Sequence, residues 1–131
     1  GAEVVLVGPP TLLPPEMGYL GVKLSYDLDR ELPGADAVMT LRLQLERQER
    51  GLFPSVREYH RLYGLTKERL AKTGKATIVM HPGPLNRGVE IASDLADSNS
   101  SVIEEQVTNG VAVRMALIYL LMGGGTSRVV D

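Results

Sequence analysis

Short apolar runs alternate with proline- and glycine-rich breaks along most of the chain. The runs that predict strands lie at 4–7, 22–26, 35–41 and 76–80. The segments that predict helices between them lie at 28–32, 56–63 and 67–72. Uninterrupted apolar runs of this length suit strands covered on both faces, as in a parallel sheet. The pattern therefore predicts an α/β fold with a doubly wound parallel sheet in three layers, αβα.

The carboxyl-terminal part predicts one long helix, over 102–122. Between Val111 and Met122 the only charged residue is Arg114, and apolar residues fall on every side of the helix. A helix of this kind is normally covered all round by protein, and a domain of this size cannot provide that cover. We therefore expect the helix to return to a second domain that is absent from this chain, with 123–131 as a flexible tail.

The amino-terminal part predicts an incomplete sheet. Gly1 and Ala2 lead into the first strand without a methionine or a helix cap, and no predicted strand opens into a glycine-rich turn. In doubly wound folds the ligand lies at the carboxyl ends of the strands, beside the first strand of the sheet. We therefore expect 1–101 to form an α/β domain that lacks its first strand.

Composition narrows the classes of function. The 131 residues are 44% hydrophobic and 23% charged, as in one ordinary globular domain. A net charge of −2 gives no electrostatic reason to bind nucleic acid. The chain contains no apolar run of about 18 residues, so a membrane-spanning segment is not predicted. The absence of cysteine excludes disulfides and agrees with a reducing compartment, so we expect a cytoplasmic protein.

The first candidate site follows the third strand, in the sequence T-L-R-L-Q-L-E-R. Strand alternation places Arg42, Gln44 and Glu46 on one side. A guanidinium fork beside an amide suits the recognition of a carboxylate. A solvated strand edge with salt-bridging charges explains the pattern equally well. The charged stretch 42–55 contains glycine and proline and predicts a mobile loop.

The second candidate site follows the fourth strand, in the sequence H-P-G-P-L-N-R-G. Pro82 and Pro84 around Gly83 leave carbonyl oxygens that can accept hydrogen bonds from an amide or amine. A cis peptide bond at Gly83–Pro84 would aim these carbonyls. The alternative is a plain turn. His81 has no serine, cysteine or metal partner in the pattern, so it is not assigned as a base or ligand.

A third cluster, E-Q-V-T-N-G-V-A-V-R, opens the last helix and is interpreted as structural. Gly110 within a helix costs about 1 kcal/mol relative to alanine, which predicts close packing or a kink. His60 lies on a charged helix and is expected to be solvated. It is far from His81, and neither has the spacing of a metal ligand. No metal and no nucleotide cofactor are predicted.

Taken in order, the three motifs resemble the second half of the aspartate carbamoyltransferase family. They read T-L-R-L-Q-L-E-R, H-P-G-P-L-N-R-G-V-E-I and E-Q-V-T-N-G-V-A-V-R-M-A-L, and the resemblance covers 1–122. The middle motif differs from the ornithine enzymes, which carry a cysteine where Pro82 stands. The resemblance implies transfer of the carbamoyl group from carbamoyl phosphate to L-aspartate in pyrimidine synthesis, with no cofactor.

The resemblance also implies roles for the candidate residues. Arg42 would bind an aspartate carboxylate, Gln44 would assist it, and Glu46 would orient the arginine. The backbone carbonyls of 82–84 would hold the carbamoyl amide. The loop after Arg47 would swing as two domains close on both substrates.

The remaining parts of the family's active site are missing from this sequence. They are the phosphate-binding S-T-R-T-R segment, an active-site histidine and a basic loop lent by a neighbouring subunit. The chain alone is therefore expected to be inactive and to need a complementary amino-terminal half. The resemblance implies a homotrimer for the complete enzyme, with regulatory or dihydroorotase chains as further candidate partners. Two alternatives stay open: a carbamoyltransferase for another amino acid, and a non-catalytic binding or assembly module of the same ancestry.

Overall fold

A computed structural model of the chain describes residues 1–44 and 55–123. The strands are β1 (Val5–Val7), β2 (Lys23–Ser25), β3 (Ala37–Met39) and β4 (Ile78–Met80). The α-helices are α1 (Leu28–Glu31), α2 (Val56–Tyr63), α3 (Lys67–Ala71), α4 (Ser93–Ala96) and α5 (Ile103–Leu121). Two 3-10 segments, Pro10–Leu12 and Pro15–Leu20, connect β1 to β2. The predicted α/β class is confirmed.

The strands form two parallel pairs. β1 pairs with β2, with Val5 opposite Lys23, and β3 pairs with β4, with Ala37 opposite Ile78. Within the described residues the pairs do not join into the single sheet that was predicted, and an open cleft of 930 Å³ is lined by both β1 and β3. The residues of β1 are half-buried rather than covered on both faces, because this side of the pair faces the cleft.

Side-chain caps fix where three of the helices begin. Asp27 accepts a hydrogen bond from the backbone N–H of Arg30 at 3.1 Å, and Ser55 caps α2 in the same way. Thr66 accepts from the N–H of Arg69 at 3.3 Å. Such caps satisfy backbone donors that the first turn leaves without partners. These three caps set the amino ends of α1, α2 and α3.

One helix was not predicted. α4 lies between the predicted fourth strand and the predicted long helix, where the sequence pattern predicts no helix. Its four residues are too few to show a helical period, and no side chain caps its amino end. Leu95 and Ala96 of α4 are buried, so packing rather than local signal stabilises it.

The core lies around β4 and the segments that follow it. Its buried members are Leu32, Leu65, Val79, Ile91, Leu95, Ala96 and Ile103. The backbone beside β4 is also paired, because the N–H of Val79 donates to Ser100 at 2.8 Å and that of Val102 donates to Val79 at 3.0 Å. β4 is thus held on two sides, and the residue that follows it, His81, starts from a fixed backbone.

Arg69 joins three helices. Its guanidinium donates to the carbonyls of Gly64 and Arg61, each at 2.7 Å, and pairs with Asp29 of α1 at 3.0 Å. The side chain is 16% exposed. These bonds satisfy carbonyl groups at the carboxyl end of α2, where a helix leaves them without internal partners.

The long helix α5 leaves the core after its first turn. Ile103 is its buried residue, and beyond it the large apolar side chains are exposed in the part of the chain that the structure describes. They are Val107, Val111, Val113, Met115, Leu117, Ile118, Tyr119, Leu120 and Leu121. Gly110 contacts no other element closely, and a Cβ there would meet the side chain of Arg114. Among the described residues, no helix is long and apolar enough to cross a membrane.

Candidate functional site

The carboxyl ends of β3 and β4 lie side by side. The N–H of Thr40 donates to the carbonyl of Met80 at 3.0 Å, which continues the pairing past both strands. In parallel sheets of this kind, ligands bind beyond the carboxyl ends of the strands. The two segments that carry the predicted site, 40–44 and 81–90, therefore start from the same edge.

The turn after β4 is fixed at its first residues. The N–H of His81 donates to Oε1 of Gln106 in α5 at 2.9 Å, and the N–H of Gly83 donates to Nδ1 of His81 at 2.8 Å. Gly83 has a φ of +70°, a conformation that glycine adopts without steric penalty. The Gly83–Pro84 peptide bond is cis, as predicted.

A hydrogen bond joins the turn to the segment after β3. The side-chain amide of Asn86 donates to the carbonyl of Leu43 at 2.8 Å. Leu43 is buried, and Arg42 and Gln44 lie on either side of it. The two candidate clusters that the sequence placed about forty residues apart are thus in direct contact.

A buried acidic residue lies behind the turn. Glu90 is 2% exposed, and its Oε1 accepts from the N–H of Asn86 at 2.6 Å and from Nε2 of His81 at 3.2 Å. His81 is fully buried. Oε2 of Glu90 is buried and has no hydrogen-bond partner among the described residues. Burying an acid in this way is unfavourable unless its oxygens are satisfied.

Two tyrosines of α2 line the cleft together with Glu90. The rings of Tyr59 and Tyr63 lie 5.4 Å apart, and Tyr63 donates to the carbonyl of Tyr26 at 3.2 Å. Burial raises the pKa of Tyr59 above its ordinary value, and the nearby Glu90 raises it further. Tyr59 therefore keeps its hydroxyl proton at neutral pH.

The predicted binding residues have different surroundings. Arg42 is half-buried and Gln44 is exposed, and both line the cleft. Pro82 and Pro84 are exposed on the turn, whose carbonyls are the candidate acceptors. Glu46 and the predicted mobile loop lie outside the described residues, apart from the loop's first positions and Ser55.

Three side chains that organise the site were not singled out from the sequence. Glu90 carried a signal, because a lone acid between Val89 and Ile91 in an apolar run is a candidate for burial. Asn86 and Gln106 gave no comparable signal, since exposed amides are common. The prediction that His60 is solvated is wrong, because its Nδ1 hydrogen-bonds the carbonyl of Val89 at 2.9 Å and the ring is partly buried.

The site does not have the composition of a metal centre. Among the described residues, no group of three His, Cys, Asp or Glu side chains lies close enough to hold a metal ion. The polar groups that converge on the strand ends are a guanidinium, amides, hydroxyls and backbone carbonyls. Such groups bind carboxylates and amides by hydrogen bonds.

Comparison with known proteins agrees with this arrangement. The family model described as aspartate/ornithine carbamoyltransferase, Asp/Orn binding domain, matches residues 3–121. The aspartate carbamoyltransferase catalytic subunit of Desulfitobacterium hafniense is 71% identical over all 131 residues, which cover 42% of that protein. The chain thus spans less than half the length of this relative.

Solved structures show the same fold. Ornithine carbamoyltransferase from Pyrococcus furiosus superposes with a TM-score of 0.75 at 25% identity, over 95% of this chain and 43% of that one. Aspartate transcarbamoylase from Trypanosoma cruzi, in complex with phosphate, gives 0.68 at 26% identity, over 88% and 40%. The chain belongs to the Asp/Orn binding domain family of the aspartate/ornithine carbamoyltransferases.

Proposed function

We propose that this chain is the L-aspartate-binding part of an aspartate carbamoyltransferase. The observation that carries the proposal is the contact between the two candidate clusters, through Asn86 and the carbonyl of Leu43. The contact sets the guanidinium-bearing segment beside a carbonyl-bearing turn, as the binding of an amino acid next to a carbamoyl group requires. The 71% identity to a protein named as the catalytic subunit of that enzyme supports the choice of amino acid.

In this proposal Arg42 binds a carboxylate of aspartate, with Gln44 as a second hydrogen-bonding group and Glu46 as the residue that orients the guanidinium. The carbonyls of 82–84 accept hydrogen bonds from the amide of the carbamoyl group. The amine of aspartate then attacks the carbamoyl carbon, phosphate leaves with the electrons of the broken C–O bond, and the amine loses a proton. The products are N-carbamoyl-L-aspartate and phosphate. The reaction is a step of pyrimidine synthesis, which takes place in the cytoplasm. Catalysis of this kind depends on positioning.

The proposal includes a complementary amino-terminal half. The cleft of 930 Å³ is lined by β1 and β3. β1 pairs with β2 and β3 pairs with β4, so β1 and β3 each have one edge that faces the cleft. These two edges support an added strand from the amino-terminal half. The N–H of Lys23 donates to the carbonyl of Val4, and the N–H of Gly8 donates to the carbonyl of Ser25. Because backbone groups alternate in direction along a strand, the N–H groups of Val5 and Val7 point away from β2 and toward the cleft. The exposed apolar side chains of α5 would be buried against the same half. The complete enzyme would be a homotrimer.

The test is formation of carbamoyl aspartate by the chain alone and after mixing with the amino-terminal half. We expect activity only on mixing, at least tenfold lower in Arg42→Ala because the carboxylate loses a charged hydrogen bond worth about 1.5–3 kcal/mol. Arg57→Ala, on the exposed face of α2, is the matched control and should remain fully active. Enzyme-like turnover by the chain alone would contradict the proposal. Turnover with ornithine but not aspartate would instead support the alternative of another amino acid.

The added strand is tested separately with Val5→Pro. Proline at this position removes an N–H that faces the cleft and leaves the β1–β2 pairing intact. We expect weaker association with the amino-terminal half but unchanged thermal unfolding of the chain. Equal association of variant and parent would exclude β1 as the edge that receives the strand.

A second candidate function is a non-catalytic assembly module, which the exposed apolar side chains of α5 favour. If it holds, the mixed halves form a stable complex without carbamoyl aspartate formation. Leu120→Glu would then weaken the complex, because a carboxylate replaces an apolar side chain at the interface.

A further inference from the structure

Two histidines of the chain have their ring protons fixed by the surrounding backbone. The N–H of Gly83 donates to Nδ1 of His81 at 2.8 Å, so Nδ1 carries no proton and Nε2 does. Nε2–H then donates to Oε1 of Glu90 at 3.2 Å. In His60 the partner of Nδ1 is the carbonyl of Val89 at 2.9 Å, which only accepts. The neutral ring of His60 therefore carries its proton on the opposite nitrogen, Nδ1.

Glu90 links His81 to Asn86 through hydrogen bonds. Its Oε1 accepts from His81 and from the N–H of Asn86 at 2.6 Å, so one oxygen holds the residues on both sides of 82–85. Asn86 in turn donates to the carbonyl of Leu43. The carboxylate therefore acts on the turn through His81 and on the segment after β3 through Asn86.

The backbone of Glu90 is itself held in place. Leu65 donates to the carbonyl of Glu90 and Ala92 donates to the carbonyl of Leu65, each at 2.9 Å. Leu65 and Ile91 are fully buried in the core. The acid thus projects from a rigid segment, as a group that positions others requires.

The cost of this carboxylate argues against a role in stability alone. Oε2 is buried with no partner among the described residues, and an apolar residue of similar volume would avoid that penalty. Glu90 also lines the cleft that contains Arg42 and Gln44. A buried, incompletely satisfied acid beside a candidate binding site is expected where function rather than stability selects it.

We propose that Glu90 is a positioning residue for substrate binding, which it serves by holding the ring of His81 through Nε2–H and by fixing the place of Asn86. Through His81 it orients the carbonyls of 82–84, and through Asn86 it sets the distance from that turn to Arg42. It touches no substrate. The proposal rests on the proposed function for the identity of the substrates but not for the tautomers.

The first measurement is the ring 15N spectrum of the chain labelled only at histidine, alone and in complex with the unlabelled amino-terminal half. Because the sequence has two histidines, both rings can be assigned. We expect His81 as the Nε2–H tautomer and His60 as the Nδ1–H tautomer. In Glu90→Gln, which keeps an acceptor oxygen, both stay unchanged. In Glu90→Met, His81 keeps the tautomer that Gly83 sets, but its Nε2 signal shifts because the Nε2–H loses its acceptor, while the signals of His60 stay unchanged. An unchanged Nε2 signal of His81 in Glu90→Met would contradict the proposal. An Nδ1–H tautomer of His81 in the parent chain would overturn the proposal.

The second measurement is carbamoyl aspartate formation by the complex. Misplacement of binding groups by about 1 Å costs up to a hundredfold, so Glu90→Met is expected to lower kcat/KM for aspartate by at least tenfold, with Glu90→Gln close to the parent. Asn86→Ala, which removes the donor to Leu43 without adding a charge, should raise KM for aspartate without changing the tautomer of His81. Normal kinetics in Glu90→Met would overturn the proposal.

The two measurements separate the possible failures. If the parent complex makes no carbamoyl aspartate, the proposed function fails, and the Nε2 signal of His81 in Glu90→Met still decides whether Glu90 holds the His81 ring. If Glu90→Met does not fold, the tautomer of His81 in the parent still tests the arrangement of the turn, and Asn86→Ala decides the link to the Arg42 segment.

Discussion

The segment from His81 to Glu90 and the helix α5 meet at one hydrogen bond, from His81 to Gln106, and differ in how their surfaces are satisfied. In the segment, polar groups are buried and bonded to one another within this chain. In the helix, apolar side chains are exposed along most of its length. The first is organised by the chain itself, whereas the second leaves apolar side chains exposed.

This difference separates the part of the chain that carries the candidate binding site from the part that carries a candidate interface. The turn and the Arg42 segment are joined by a hydrogen bond within the chain, so this part of the candidate site is preorganised. A contiguous exposed apolar surface on a folded protein marks an interface. We therefore expect mutations near the turn to alter substrate binding, and mutations on α5 to alter association.

The largest effect that tests this comparison is a pair of leucine truncations. Leu95→Ala removes a side chain that is 1% exposed and should lower the free energy of unfolding by about 2–5 kcal/mol, because a cavity remains. Leu120→Ala removes one that is 65% exposed and should change it by less than about 0.5 kcal/mol. Urea unfolding of the isolated chain measures both. Equal losses would mean that α5 packs in the free chain.

A smaller effect is expected from the polar bonds that hold the helices. Arg69→Met keeps most of the apolar stem but removes the donors to Gly64 and Arg61 and the pair with Asp29. We expect a loss of about 1–3 kcal/mol, because carbonyls at the end of α2 lose their partners. Thermal and urea unfolding measure it.

Arg61→Met is the matched control for this change. Its guanidinium is 74% exposed and pairs with Glu58 at 3.7 Å, a geometry that contributes little to stability. A loss in Arg61→Met as large as in Arg69→Met would show that charge, rather than the bonds to the α2 carbonyls, accounts for the effect.

Elements with strong local signals were predicted from the sequence. The bounds of α2 match the predicted 56–63, because Ser55 caps its start and Gly64 ends it. The strands are shorter than their apolar runs, and the third spans Ala37–Met39 within the predicted 35–41. The apolar runs continue past the paired residues, so the pattern overestimates strand length.

The missing parts of the prediction depend on contacts between distant residues. The pattern identified Arg42 and the 82–84 turn but not Asn86, whose bond to Leu43 brings them together. The division of the strands into two pairs was also not predicted, since pairing depends on which edges meet. The tautomer of His81 depends on Gly83 and Glu90 in three dimensions, and no spacing encodes it.

The smallest effect concerns acid and the paired carboxylates of the surface. Desolvation alone would raise the pKa of Asp29. Hydrogen bonds and charges from Lys72 and Arg69 outweigh it and hold this pKa below its ordinary value. A hydrogen bond from Lys23 lowers the pKa of Glu31, and one from Arg87 lowers the pKa of Asp97. Each group is lowered in the folded state, so its contribution to stability is present above its unfolded pKa, near about 4.

That contribution is lost as the pH falls through the folded pKa values, so stability should be constant above about pH 5 and decline below about pH 4. Urea midpoints between pH 7 and pH 3 measure the decline. Asp97→Asn should be slightly less stable at neutral pH and show a shallower decline, because the pair with Arg87 no longer titrates. Because Asp97 is 66% exposed, the change is expected to be small and to weaken further in high salt. An undiminished decline in Asp97→Asn would assign the acid sensitivity to the other carboxylates instead.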